Sequence, residues 1–185
     1  MPHPSSWGLY FLCNGDPNAA SLERANPVFE GTVDSIHISG KATEPLVRVD
    51  QVQAVAGRGL EGDRYFEKDG TFPDKKGEVH DPGREVTLIE AETLEAIARD
   101  YDLDVDHGLP RRNIVTRGVA LNHLVGREFS VGEVRLRGLR LNEPCNHLAS
   151  LTSDEVKKGL VHRGGLRAQI LDGGVIRVGD AVRAG

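Results

Sequence analysis

The alternation of apolar and polar residues predicts a chain built mostly from short β-strands. From Phe29 to Ile38, Ile36 and Ile38 alternate with polar neighbours, which is typical of a strand with one buried face. Further along, the apolar positions of 47–51 and of 52–56 have opposite parity. This switch indicates a bulge, or a crossing of the chain between two faces.

Two segments carry helical signals. Leu94, Ile97, Ala98 and Tyr101 recur at the spacing of one helix face, and acidic residues in the first turn complement the helix dipole. A second short helix is expected near Thr152, because the sequence of 152–155 fits a capping box.

The remaining strands are short and separated by glycine. Residues 85–89 form one such segment, and the others are 113–116, 128–131, 133–137, 139–142, 167–171 and 175–178. Short strands at this spacing favour closure, which removes exposed sheet edges. The sequence therefore predicts a mainly β fold, a closed or nearly closed barrel-like architecture with one or two short helices.

The chain of 185 residues suits one domain with an N-terminal extension. Residues 1–29 contain several prolines and little periodicity, so we expect them to be loosely ordered or packed on a domain formed by 30–185. The polar stretch 66–84, with its glycines and prolines, is typical of a long surface loop.

Composition points to a soluble protein of a reducing compartment. The sequence has no run of 18 apolar residues, no secretory-type N-terminus and only two cysteines. We therefore expect a cytoplasmic protein without a membrane segment and without a disulfide scaffold.

Charge is distributed unevenly. Residues 1–106 carry 10 Lys/Arg and 21 Asp/Glu, whereas 107–185 carry 13 and 7, and nine of the 17 arginines lie between Arg111 and Arg167. Arginine's planar fork suits phosphate or carboxylate, and a sequence pI near 5.8 argues against a nucleic-acid partner. Most of these arginines are expected to lie on solvated strand faces, but their excess favours a discrete anionic ligand over a nucleic acid.

Cys145 is the candidate reactive residue. It follows a predicted strand and a proline in the segment 142–147, where nearby arginines would favour the thiolate that attacks electrophiles and binds soft metals. The alternatives are a small buried hydrophobic residue, or a cysteine hydrolase that pairs Cys145 with His147 or His162. Cys13, in the extension, has no predicted role.

Two further segments bring arginines to loop–strand junctions. Arg111, Arg112 and Asn113 open a strand, so one arginine can face a pocket while the other faces solvent or an acidic partner. A surface ion pair is the competing interpretation. The segment 57–64 does not match a nucleotide-binding loop, and its glycines are expected to allow a tight turn that brings Asp63 and Arg64 inward.

Seven motifs in order resemble the MOSC domain, the C-terminal domain of molybdenum-cofactor sulfurases. The resemblance covers about residues 30–185, and no domain with a pyridoxal-phosphate attachment lysine accompanies it. The motifs lie at 59–65, 84–89, 111–118, 124–132, 143–145, 164–168 and 173–180.

The resemblance implies a pocket for the molybdopterin form of the molybdenum cofactor. In family members the cysteine that matches Cys145 is a molybdenum ligand or the proposed carrier of a transferable sulfur. Positions matching Arg111 and Asn113 lie at the cofactor in related reductases, and Arg112 belongs to the same motif. Cofactor anchoring is therefore expected from these three residues, and from Arg64 and Arg167.

Three functions follow as expectations from this resemblance. The first is a sulfur carrier or sulfurtransferase that acts through Cys145, with a cysteine desulfurase as partner. The second is a molybdenum-dependent reductase of N-hydroxylated compounds, supplied by electron-transfer proteins. The third is a cofactor carrier without turnover. No nucleic-acid or membrane partner is expected in any of the three.

Overall fold

The protein folds around a closed ring of strands, in a computed structural model that describes residues 29–68, 70 and 80–184. The strands are β1 (Phe29–Ile38), β2 (Val47–Val49), β3 (Gln51–Val55), β4 (Gly59–Leu60), β5 (Val86–Glu90), β6 (Ile114–Arg117), β7 (Glu128–Val131), β8 (Val134–Leu141), β9 (Leu166–Asp172), β10 (Gly174–Arg177) and β11 (Ala181–Ala184). The α-helices are α1 (Ala91–Tyr101), α2 (Asn146–Leu151) and α3 (Asp154–Gly159), and 3-10 turns lie at Pro82–Arg84 and Leu121–Leu124.

Seven strands close the barrel in the order β1, β6, β5, β9, β8, β7, β11, and β11 pairs back with β1. Strand β2 extends from β1 outside the ring, and β10, β3 and β4 form a separate sheet of three strands. Among the strands of the described residues, β5 and β6 are the one pair that runs in parallel, and α1 connects them. The predicted mainly β, barrel-like fold is confirmed.

The strands of the barrel separate two apolar cores, one inside the barrel and one beneath the helices. Val86 and Leu88 of β5 lie in the barrel core, whereas Ile89 faces outward into a second core beneath the helices. Leu148 of α2 and Leu160, after α3, are buried in that second core. Successive strand side chains point to opposite faces, so β5 is apolar on both sides and anchors the helices to the barrel.

The parity switch in 47–56 marks a change of sheet. Strand β2 pairs with β1, while β3 pairs with β10 and β4 in the second sheet, and the break falls at Asp50. The crossing that the sequence suggested is therefore real, and it connects two sheets.

Two predicted strands are one. Segments 133–137 and 139–142 were expected to be separated at Gly138, but β8 runs through this residue. A side chain at Gly138 would collide with the carbonyl oxygen of Leu124, so the glycine allows close backbone approach and does not form a turn.

The helical region after Cys145 differs from the expectation at two points. Helix α2 was not predicted, and α3 is capped by Ser153, whose hydroxyl accepts a hydrogen bond from the Val156 amide at 3.3 Å. Thr152, the expected cap, instead donates its hydroxyl to the Leu148 carbonyl at 2.8 Å and closes the end of α2.

The predictions for the N-terminal extension and for most of the loop 66–84 concern residues outside the described part, namely 1–28, 69 and 71–79. Within the described residues, the helices are all too short or too polar to cross a bilayer.

Candidate functional site

A cleft lies on the outer face of the barrel, where β5 and β9 pair. Leu166 and Ala168 face the core, so Arg167 between them faces outward, opposite Thr87 on β5. The described residues that line the cleft are Arg64, Tyr65, Arg84, Thr87, Arg111, Arg112, Asn142, Cys145, His147, Leu148 and Arg167. No carboxylate is among these described residues, and the cleft is therefore cationic.

The glycine-rich turn before β5 delivers Arg64 to the cleft. Gly59 and Gly62 have φ of +112° and +79°, which glycine adopts without steric cost. Asp63 is buried and accepts hydrogen bonds from Arg64 Nη1 at 3.3 Å and from the Tyr65 amide at 3.2 Å. The prediction that this turn brings Asp63 and Arg64 inward is confirmed.

Asn113 lies beneath the cleft and is not among the residues that line it. Its Oδ1 accepts from the amide and the hydroxyl of Thr87, at 3.2 and 2.8 Å. Its Nδ2 donates to the His37 carbonyl at 3.3 Å and to Asp63 Oδ2 at 3.1 Å. All the hydrogen-bonding capacity of the amide is used within the protein, so Asn113 positions Thr87 and Asp63 and offers nothing to a ligand.

Arg112 forms the cationic floor of the cleft. Its guanidinium donates to three carbonyl oxygens, from Nε to Gly164 at 2.8 Å, from Nη1 to Pro110 at 2.8 Å and from Nη2 to Asn142 at 3.0 Å. Burial, followed by repulsion from Arg167, lowers the pKa of Arg112 to about 9. The guanidinium therefore stays charged at neutral pH, and within the described residues it forms no ion pair.

Arg111 joins the cleft to the loop after β1. It adopts a φ of +61°, uncommon for a residue with a side chain, and donates to the carbonyls of Ala42 and Glu44, each at 2.8 Å. The surface ion pair considered for these arginines is not formed by Arg111 or Arg112 in the described residues.

Arg64 and Arg167 keep most of their donors for a ligand. Besides its bond to Asp63, Arg64 makes no other hydrogen bond with the described residues, and Arg167 donates only from Nη1 to the Gly83 carbonyl at 3.1 Å. Burial lowers the pKa of Arg167, with the charge of Arg140 as a further cause. These two guanidiniums are the fork-shaped donors that an oxyanion can engage.

Cys145 is an exposed free thiol at the first turn of α2. Burial of Leu148 in the second core holds α2 against the barrel and so places the sulfur at the cleft. The alternative of a small buried hydrophobic residue is excluded. His147 also lines the cleft, whereas His162 is 84% exposed and is bound to Glu143, so a Cys145–His162 pair is not assembled.

Comparisons with known proteins agree with this architecture. The model of the MOSC domain family matches residues 75–183. The chain belongs to the MOSC family. No curated protein matches it significantly.

Solved structures share the MOSC fold at low sequence identity. The YUAD protein from Bacillus subtilis has a TM-score of 0.69 at 15% identity, over 85% of this chain and 98% of that one. YiiM from Geobacillus stearothermophilus has a TM-score of 0.63 at 14% identity, over 84% and 75%. YiiM from Escherichia coli has 0.58 at 20%, over 83% and 69%. These likenesses show the fold alone.

Sequence reasoning did not assign roles to four polar residues of this MOSC cleft: Tyr65, Arg84, Thr87 and Asn142. All four lie within or beside segments that it had singled out, but residue type alone does not tell which side chain faces a cleft. Among the described residues, no group of three or more His, Cys, Asp or Glu could hold a metal ion. Of the described residues that line the cleft, Cys145 is the one that offers a soft sulfur ligand.

Proposed function

We propose that this MOSC protein binds the molybdenum cofactor in the cleft and handles sulfur through Cys145. The observation that supports this most directly is the exposed thiol beside five arginines, with no carboxylate lining the described part of the cleft. The thiolate is the nucleophilic form of cysteine and a ligand for soft metals.

The donors of the cleft fit an anionic pterin. Within the described residues, Arg64 and Arg167 have N–H groups without a partner that can bind phosphate oxygens, and Nδ2 of Asn142 is buried without a hydrogen-bond partner. Arg112 adds a positive charge from below without occupying space in the cleft. The bound cofactor would supply a molybdenum centre, for which the Cys145 sulfur is a suitable soft ligand.

Sulfur handling needs only the thiolate of Cys145 and a persulfide donor, such as one formed on a cysteine desulfurase. The thiolate attacks the outer sulfur of the donor persulfide, a new S–S bond forms on Cys145, and the donor's S–S bond breaks. The donor cysteine leaves as a thiolate with the bonding electron pair, so the exchange needs no external oxidant. Attack by an acceptor on the outer sulfur then regenerates the Cys145 thiolate.

The proposal predicts that Cys145→Ser abolishes sulfur loading. Wild type and variant are incubated with a cysteine desulfurase and cysteine, and sulfane sulfur on the MOSC protein is measured by mass spectrometry. Because the thiol is exposed, the free energy of unfolding should change by less than about 1 kcal/mol.

The other cysteine gives the matched control: Cys13→Ser should load sulfur like wild type. Sulfur on Cys145→Ser at the wild-type level would contradict the carrier role. Absence of sulfur on wild type, together with molybdenum that is lost in Cys145→Ser, would instead make Cys145 a metal ligand and favour the reductase.

A further inference from the structure

Asn142 carries an unsatisfied hydrogen-bond donor at the cleft. The residue is 2% exposed, and its Nδ2 has no hydrogen-bond partner in the part of the chain that the structure describes. Buried amide groups in folded proteins are nearly always paired, so an exception within a cleft calls for a physical explanation.

The backbone of Asn142 is fixed, so the unpaired amide is not the result of a loose segment. Its N–H donates to the Gly165 carbonyl at 2.7 Å, and its carbonyl accepts from Arg112 Nη2 at 3.0 Å. A side chain at Gly164 would collide with this same carbonyl, so the three segments meet in close backbone contact. Within the described residues, the backbone of Asn142 is therefore paired, and its side-chain Nδ2 is not.

The position of the amide defines what it can bind. Asn142 precedes Cys145 by three residues and lines the same cleft. The positive charges of Arg112 and Arg167 attract anions to this cleft. The last torsion of asparagine is broad, so the orientation of this amide can adjust to a ligand. A neutral donor here pairs with an oxygen acceptor without adding charge.

We propose that Asn142 is a specificity-determining residue, whose Nδ2 donates a hydrogen bond to an oxyanion oxygen of the ligand bound beside Cys145. This inference rests on the proposed function for the identity of the ligand as the molybdenum cofactor. The proposed hydrogen bond from Nδ2 of Asn142 does not depend on that identity and applies to any oxyanion in the cleft.

The test compares Asn142→Leu and Asn142→Asp with wild type. Leucine keeps the approximate volume without the donor, and aspartate keeps the shape but accepts where asparagine donates. Two quantities are measured for each protein: the melting temperature without ligand, and the affinity for two probes. The probes are molybdenum cofactor released from a denatured molybdoenzyme, and inorganic molybdate. Asn122→Leu is the control, because the Asn122 amide is paired with the His162 carbonyl and does not line the cleft.

Loss of one such hydrogen bond should weaken binding of either probe about three- to tenfold in Asn142→Leu, and further in Asn142→Asp, whose negative charge repels the anion. Without ligand, Asn142→Leu should melt at or above the wild-type temperature, because it removes an unsatisfied donor. A purely structural asparagine would give the opposite pair of results, a lower melting temperature and unchanged affinity.

The two probes separate this inference from the proposed function. Cofactor bound equally by wild type and both Asn142 variants would overturn the inference and leave the proposed function standing. Molybdate bound by wild type without cofactor binding would refute the proposed function, and the role of Asn142 would then be decided by the molybdate affinities. Binding of neither probe to wild type would overturn both. Should Asn142→Leu not fold, wild-type affinity in Asn142→Asp would overturn the inference.

Discussion

The arginines of the cleft differ in what their guanidiniums already bind. Arg111 and Arg112 donate to backbone carbonyls and hold neighbouring segments in place. Arg64 and Arg167 each make one protein hydrogen bond within the described residues and can turn the remaining donors to a ligand. These four and Arg84, which also lines the cleft, supply its positive charge, but direct contact is expected mainly from Arg64 and Arg167.

This division predicts different effects of substitution on oxyanion binding. Arg64→Ala and Arg167→Ala should each weaken molybdate binding by about ten- to a hundredfold, since a hydrogen bond to a charged group contributes about 1.5–3 kcal/mol. Titration calorimetry at two salt concentrations measures this effect and its screening. Arg135→Ala removes the same charge from the exposed face of β8 and should bind like wild type. Equal affinity in all three variants would place the anion elsewhere.

The convergence of these residues was visible in the sequence, but the use of each donor was not. Motif order singled out Arg64, Arg111, Arg112, Cys145 and Arg167, and the structure brings all five to one cleft. Asn113 belongs to the motif of Arg111 and Arg112, but its side-chain amide forms hydrogen bonds with Thr87 and Asp63. Its partners lie 26 and 50 positions away in the chain, so only the fold decides whether a donor remains for a ligand.

At the scale of elements, β1 is joined to the loop after α1 by a partly buried polar cluster. His37 Nε2 and Ser35 Oγ lie 3.0 Å apart, and Ser35 Oγ lies 3.2 Å from His107 Nδ1, which contacts Asp34 at 3.0 Å. Burial is the main cause that lowers the pKa of His37, although Asp106 and Asp34 oppose it. Asn113, beneath the cleft, donates a hydrogen bond to the His37 carbonyl and so connects this cluster to the cleft.

Acid should therefore destabilise the protein through His37. A histidine whose pKa is lowered on folding binds more protons in the unfolded chain, so stability is lost as the pH falls below the ordinary value of 6.5. Thermal unfolding between pH 7.5 and 5 measures the loss. In His37→Gln this decline should be shallower, whereas His162→Gln, at an exposed position, should retain the wild-type dependence. Identical slopes in His37→Gln and wild type would contradict the assignment.

Elements with a clear hydrophobic period were predicted well, whereas the short helix α2 was not predicted. The bounds of β1 and β7 agree with the sequence pattern, and α1 contains the predicted apolar face. Helix α2 has six residues and a single buried one, Leu148, and its first residue follows Cys145 without a side-chain cap. Such a segment has no period to detect, and it is ordered by packing against the second core.

For the whole molecule, the barrel acts as a rigid support and the cleft lies on its outer wall. Closure uses the backbone donors and acceptors of seven strands in pairing, so the arginine-bearing segments are arranged on a fixed surface. The second core then fixes α2, and with it Cys145, over β5. We propose this outer cleft as the cofactor site of the MOSC protein.

Molybdenum and pterin content of the purified protein tests that claim most directly. Wild type and the double variant Arg64→Ala/Arg167→Ala are purified from a molybdate-supplied host, molybdenum is measured by elemental analysis, and pterin by fluorescence after oxidation. If the cleft is the cofactor site, we expect molybdenum and pterin in wild type at comparable molar amounts, and we expect the folded double variant to lose most of each. Wild type that carries neither, and takes up no cofactor when it is offered in solution, would contradict it.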